Sequence, residues 1–401
     1  MRIGLLFGLD NKTVLDYIGE SDRETVRRNC LENIAPAVNT LMLSLLKGGH
    51  FIRVFTIAKS NFVIKSAQVE IYGIKPVDNY FIKYTFGCFV DAYRLSQVLK
   101  KNYEDLDVIH AHWTYVYAYA AKCVGVCKPV FVTVRDWASY IWKIESTKNK
   151  VFWSFRVLMN ELVMRNKNIH LIANSPYTAT RIKEKLGIEA PVIPNSIKDE
   201  FVIKSEHRVP NVFTILCISS SNDKRKNVVT LLQAYQMFRK KIPFCRFMLI
   251  GPSFVEGNPS IIKWEQDGLM EGVELLGAIP HADLKKYLDD SSVFVTPSLE
   301  ETFGNTLLES IVRKVPVIGG EKSGAVPFVL HHGKAGILCD VSSASAIEEK
   351  LEYVYNHPDE MQRMSERAFV IINNEYSEHS VCEKYIQLYR GKKDEFGTDK
   401  I

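Results

Sequence analysis

Two glutamates, Glu301 and Glu309, stand eight positions apart in the stretch Thr296-Pro297-Ser298-Leu299-Glu300-Glu301-Thr302-Phe303-Gly304-Asn305-Thr306-Leu307-Leu308-Glu309. A short apolar run of strand character, residues 292–295, precedes the stretch, and an apolar-periodic helix follows it. Glu301 therefore falls before the helix start and Glu309 about two turns inside it. Gly304 between them lets a ligand approach the backbone closely. The first-turn N–H groups around Gly304, Asn305 and Thr306 cannot be satisfied within the helix. A helix N-terminus favours anions, phosphate above all. Carboxylates flanking a phosphate would repel it, so they are expected to face hydroxyls, those of a sugar ring and of a ribose. Together these features describe a sugar-nucleotide site.

The elements that must position these residues alternate along the chain. Short apolar strands are expected at 51–57, 108–111, 130–134 and 169–173, with helices such as 40–47, 89–101 and 115–123 between them. The second half repeats the rhythm, with strands at 213–218, 247–250, 273–276, 292–295 and 315–318. Strands buried on both faces and separated by helices imply parallel doubly wound sheets, which bind ligands at the carboxyl ends of their strands. Apolar periodicity lapses near 195–210, which places a domain boundary at 203/204. The tail from Gly391 is polar and expected to fray.

Composition narrows the class. The 401 residues suit two domains of ordinary size, and 46% hydrophobic with 24% charged residues is the balance of a soluble globular protein. No uninterrupted apolar run of membrane-spanning length is found, and the N-terminus reads as a first strand rather than a signal peptide. Cytosolic, reduced cysteines are expected; Cys123 and Cys127 lack the companions a zinc site needs. Residues 1–200 carry 27 Lys and Arg against 19 Asp and Glu, so the positive surplus sits in the first half. An anionic partner suits it, a phospholipid surface or a polyprenyl pyrophosphate; an ordinary solvated face is the alternative. No nucleic-acid-binding signature is found, so nucleic acid is not expected as a partner.

The glutamate stretch resembles the Glu-x7-Glu signature of retaining family-4, or group 1, glycosyltransferases. The likeness continues through Asp107-Val108-Ile109-His110-Ala111-His112-Trp113, Ala173-Asn174-Ser175, Ile193-Pro194-Asn195-Ser196 and Val273-Glu274-Leu275-Leu276-Gly277, then Val315-Pro316-Val317-Ile318, Ser323-Gly324 and Gly336-Ile337-Leu338. It spans about 105–390 and is strongest over 210–340. The resemblance implies the GT-B fold: two Rossmann-like α/β domains with doubly wound parallel sheets, facing across a cleft. Residues 1–203 would form the acceptor-side domain, to which a last helix, 378–390, returns. Residues 204–377 would bind the nucleotide sugar.

The implied activity is retaining transfer of a sugar from a nucleoside-diphosphate sugar to a glycan or lipid-linked acceptor, as in bacterial surface-polysaccharide synthesis. No cofactor or metal is implied. The implied setting is the cytoplasm, with the inner face of the membrane as a peripheral location. Lys226 falls on the family's phosphate-binding lysine, and Arg225 or Lys224 can add charge. The diphosphate would lie on the turn after Phe303, at Gly304, Asn305 and Thr306. Glu309 would hold the ribose and Glu301 the transferred sugar. Backbone around Gly277 to Pro280 would meet the base.

Two departures matter. Ser221 occupies the family's arginine position, and Arg135-Asp136-Trp137 stands where many members read His-Asp. Arg135 is thereby a candidate to contact phosphate in the catalytic set. A non-catalytic nucleotide-sugar-binding partner is the alternative these departures raise. A nucleotide-sugar epimerase shares the fold but not the ordered motifs. A nicotinamide-dependent dehydrogenase would need a Gly-x-Gly-x-x-Gly loop that the chain does not supply.

Three lesser features complete the expectations. His110 and His112 are expected on opposite faces of their strand; one could line the crevice, but a satisfied structural histidine is the favoured reading for each. Asp105-Leu106-Asp107 matches a metal-binding pattern but sits at a strand entry, where chance is the better explanation. Residues 148–167 form a basic amphipathic stretch that suits either a lipid interface or a helix packed on a sheet. Ser323-Gly324-Ala325-Val326-Pro327 is assigned no role beyond a turn.

Overall fold

Buried on both faces, the apolar runs of the sequence become the strands of two sheets. The computed structural model describes residues 1–32, 34–125, 127–144, 147–204 and 210–398. Asn33 of the N-terminal loop, 205–209 of the expected boundary and 399–401 of the tail lie outside the described residues, as does the side chain of Lys148.

The first sheet holds β1 (Arg2–Leu6), β2 (Phe51–Ile57), β3 (Phe62–Lys65), β4 (Val69–Ile74), β5 (Val108–His112), β6 (Val130–Val134) and β7 (Ile169–Ala173). Its strand order is β3-β4-β2-β1-β5-β6-β7. Every pairing is parallel except that of β3 with β4. That antiparallel hairpin is absent from the periodicity because its turn, Ser66 N–H to Val69 O at 2.9 Å, contains neither glycine nor proline.

The second sheet holds β8 (Phe213–Ile218), β9 (Cys245–Ile250), β10 (Val273–Gly277), β11 (Val293–Thr296), β12 (Val317–Gly320) and β13 (Ile337–Cys339). Its order is β10-β9-β8-β11-β12-β13, parallel throughout. β5, β6, β11 and β12 are buried at every position, the reason apolar residues dominate their sequences. Two parallel-sheet α/β units are thus present.

Contacts divide the chain at Ser196/Ile197, and the helix from Glu378 rejoins the first unit. The division falls seven residues before 203/204. Ile197 and Phe201 pack in the second unit's core, and the Ile203 N–H donates to Val312 O at 3.0 Å. The polar sequence there conceals an anchored segment.

The rejoining helix, Glu378–Thr398, is longer than its apolar pattern and continues past Gly391. Tyr385 and Tyr389 are buried on the first sheet's face, and Lys47 and Asp107 hold the helix through Glu378 (2.6 Å) and Lys393 (2.8 Å). The helix Thr147–Met164 packs Met159, Val163 and Met164 into the core, which favours the sheet-packed alternative; Val151, Leu158 and Leu162 remain exposed on it. Asp105 is held by Arg53 and Arg2, and Asp107 by Lys393, so both carboxylates of the Asp-x-Asp pattern serve ion pairs.

Candidate functional site

β11 ends at Thr296, and the chain turns through 297–304 into the helix Asn305–Ile311. Gly304 caps that helix at φ +94°, where a Cβ would meet Leu307 Cδ1 at 3.0 Å. Only glycine takes this conformation without strain. Phe303 is buried in the core against Tyr376, so its side chain anchors the turn and only its backbone can meet a ligand. Asn305 and Thr306 stay partly exposed at the helix start.

Opposite this turn lies the loop that follows β8. Ser221 Oγ donates to Asp223 Oδ2 at 2.6 Å, and Asp223 Oδ1 accepts the Arg225 and Lys226 N–H groups at 2.9 and 3.1 Å. The serine in the arginine position therefore braces an acidic turn. Burial alone would raise the Asp223 pKa; Ser221, Arg225 and the two N–H groups hold it below its ordinary value. Asn227, at φ +52°, ties the loop onward through Nδ2 to Pro297 O (3.1 Å) and Val341 O (2.8 Å).

The two segments meet at their side chains. Lys226 Nζ donates to Glu301 Oε1 at 2.6 Å, with the two side chains only 13% and 15% exposed. Arg225 Nη1 donates to Glu300 O at 3.3 Å, and the Leu299 N–H to Arg225 O at 2.8 Å. Burial would push the Glu301 carboxyl up, but Lys226, Arg225 and the Ser298 hydroxyl hold it below its ordinary value. Ser323–Pro327 does more than turn: the Ala325 N–H donates to Glu301 O at 2.8 Å, and Gly324 bridges Glu301. It fixes the backbone from which the carboxylate projects.

Glu309 is buried on the same helix, and His281 Nε2 lies 2.8 Å from its Oε1. Glu309 Oε2 is buried without a partner. His281, whose ring packs 4.7 Å from that of Phe201, is absent from the sequence expectations. Its one local signal is its place after Pro280 at the end of the β10 loop; no spacing relates it to a residue 28 positions away.

Arg135 belongs to the first unit, after β6. It is half-buried there, its Nε donating to His112 Nδ1 at 3.2 Å and its Nη1 to Asn195 Oδ1 at 2.5 Å. Burial pushes the guanidinium pKa down. The opposite-face expectation for His110 and His112 is wrong: residues two apart in a strand share a face. Their ring centres lie 4.0 Å apart with the planes tilted by 47°, and burial holds both well below the usual histidine pKa. His110 is satisfied by Tyr389 and Thr133, at 2.6 and 2.8 Å. His112, by contrast, leaves Nε2 buried and unpartnered.

Known proteins resemble this chain in sequence and fold. The family model described as "Glycosyltransferase Family 4" matches residues 37–201, and "Glycosyl transferases group 1" matches 199–370. N-acetyl-alpha-D-glucosaminyl L-malate synthase of Bacillus anthracis is 22% identical over 308 residues, 74% of this chain and 77% of that protein. The capsular polysaccharide biosynthesis glycosyltransferase CapM of Staphylococcus aureus is 24% identical over 166 residues, 41% of this chain and 43% of its own. Sucrose-phosphate synthase from Thermosynechococcus elongatus superposes with a TM-score of 0.72 at 17% identity, covering 98% of both chains, which shows the GT-B fold. Matched in succession through both of its units, the chain belongs to the group 1, family-4 glycosyltransferases.

Proposed function

We propose that this glycosyltransferase moves a sugar, with retention, from a nucleoside-diphosphate sugar to a glycan or lipid-linked acceptor in bacterial surface-polysaccharide synthesis. The observation that carries the donor assignment is the buried, unpartnered Oε2 of Glu309, in the helix that opens at Gly304. A buried carboxylate oxygen without a donor is costly unless a ligand supplies one. The diol of a ribose has two O–H groups to give.

The diphosphate would then lie on the first turn, at Gly304, Asn305 and Thr306, with Lys226 and Arg225 beside it. Lys226 is neutralised by Glu301 at 2.6 Å. A diphosphate competes for that ammonium and leaves Glu301 to accept from hydroxyls of the transferred sugar. As the bond from the anomeric carbon to the phosphate oxygen breaks, Lys226 stabilises the charge left on the diphosphate. The acceptor oxygen bonds the anomeric carbon from the same face, and its proton passes to the leaving phosphate. This scheme asks for no metal and no protein nucleophile. Arg135, engaged by His112 and Asn195, would contribute by holding the ends of β5 and β6 in place.

The capsular setting is supported by the role of the Staphylococcus aureus relative in capsular polysaccharide biosynthesis. Among the described residues no helix is long and apolar enough to cross a membrane. A cytoplasmic enzyme, peripheral at the inner membrane face, is the location this reading favours. Ser221, tied to Asp223 where the family carries arginine, supports one second reading: a partner that binds the nucleotide sugar without turning it over.

Melting of the chain with UDP, GDP, ADP and dTDP, beside Glu309→Ala, tests the donor assignment. Nucleotide at a hundred times its dissociation constant adds ~2.7 kcal/mol. A shift with one nucleotide that the mutant loses is expected. An equal shift in Glu309→Ala would remove the ribose assignment, and binding without nucleotide release from any donor sugar would favour the second reading.

A further inference from the structure

Arg156 projects from the helix Thr147–Met164 of the first unit, and its Nη1 is buried with no hydrogen-bond partner. Its guanidinium carbon lies 3.7 Å from the centre of the Phe152 ring and 5.7 Å from that of Trp153. An aromatic face behind a guanidinium fixes the plane of the fork without using any of its donors. Trp153 packs edge-on against Tyr115 at 5.8 Å, and the Tyr115 hydroxyl donates to Asp136 Oδ1 at 2.6 Å.

Tyr115 follows β5 and Asp136 follows β6, so the cluster sits beyond the carboxyl ends of parallel strands. Open α/β sheets take their ligands there. Nearby acids do not neutralise the arginine. Asp136 already accepts from Tyr115, Asp91 Oδ1 accepts the Val77 N–H at 2.8 Å, and both act on Arg156 only through charge at longer range. Burial itself pushes the guanidinium pKa down, with Cys88, Tyr115, Asp136 and Asp91 opposing. Arg156 as a whole is half-buried, but its Nη1 is buried, and a buried donor left unused on a cation is costly unless something supplies the acceptor. Stacking on Phe152 alone does not, because the ring faces the carbon and leaves the Nη1 hydrogens without an oxygen.

We propose that Arg156 is the oxyanion-binding residue of the acceptor site, so that the acceptor carries a phosphate or carboxylate group that docks on Nη1 in front of the Phe152 ring. Bidentate phosphate and carboxylate geometry both match this fork. That the bound oxyanion belongs to an acceptor rests on the transferase reading above; that Arg156 binds an oxyanion does not.

Orthophosphate and succinate, titrated into the full chain at constant ionic strength, test this through tryptophan emission, with Trp153→Phe identifying the local signal. A saturable change with at least one anion is expected. It should weaken about tenfold or more in Arg156→Gln and by a smaller factor in Arg156→Lys, which keeps charge but not the fork. Preference for phosphate over succinate would name a phosphorylated acceptor, and the reverse an acidic one. No saturable change with either anion, or equal affinity in wild type and Arg156→Lys, overturns the assignment, and the lysine variant decides should the glutamine variant not fold. The nucleotide shift should survive in both variants. If wild type shows no such shift but anion binding depends on Arg156, the donor reading fails and this one stands; the converse sinks this one alone.

Discussion

Lys226 and Glu301 sit 75 residues apart in the chain and 2.6 Å apart in space, a pair that burial strengthens by thinning the surrounding water. Under the proposed mechanism, removing Lys226 takes the counter-charge from the departing diphosphate and leaves the largely buried Glu301 carboxylate without its partner. A lost contact of this kind costs roughly 2.7–4 kcal/mol in the transition state, so Lys226→Ala should lower kcat by about a hundredfold or more. Near-normal turnover of a donor sugar would sink the assignment. Residue types at this site were legible: Glu301, Gly304 and Glu309 announce themselves by spacing. The partner of Glu309 was not, since His281 shares no period with it and only packing brings the two near.

At the scale of elements, the turn between β11 and its helix depends on Gly304. Valine there would have to hold φ near +94° and crowd Leu307, against a strain of about 1–3 kcal/mol. Gly304→Val should lower both the melting temperature and nucleotide affinity; a mutant with wild-type values for both would show that the turn tolerates a side chain. Below the first sheet, Arg53 of β2 holds Asp105 ahead of β5, with Arg2 of β1 assisting. The Arg53 hydrogen bond, against the opposing effect of burial, lowers the Asp105 pKa from 3.8 to about 2. A carboxyl depressed in the folded state stabilises the fold above its unfolded pKa and ceases to as pH falls through its folded one. The difference in urea midpoint between wild type and Asp105→Asn should therefore be full above pH 4 and shrink towards pH 2. A difference constant across that range would refute the ion pair's role.

On the scale of the whole molecule, the chain leaves its first unit at Ser196 and comes back to it at Glu378. Val381, Tyr385, Ile386 and Tyr389 of the returning helix are buried against that unit. Each contributes about 1.5–3 kcal/mol on burial, so together they rival a typical stability of about 5–15 kcal/mol. A chain ending at Ser377 should therefore fail to give a cooperative unfolding transition for the first unit, with His110 losing Tyr389 and Asp107 losing Lys393. A soluble truncation with an unchanged transition would show the helix to be dispensable.

By itself the sequence determined the two α/β halves, most strand positions and the glycine turn with its glutamates. Each of these is written locally, in apolar runs, backbone-permissive glycine and helix periodicity. Tertiary structure decided what is joined across distance: Lys226 to Glu301, His281 to Glu309, Arg135 to His112 and Asn195, and His110 to a tyrosine 279 residues away. It also decided which groups were left over, Glu309 Oε2 and Arg156 Nη1 among them. Spacing along a chain records hydrogen bonding within elements, whereas burial and the pairing of charges arise only when those elements pack, and that is why the partners, unlike the signature, could not be read in advance.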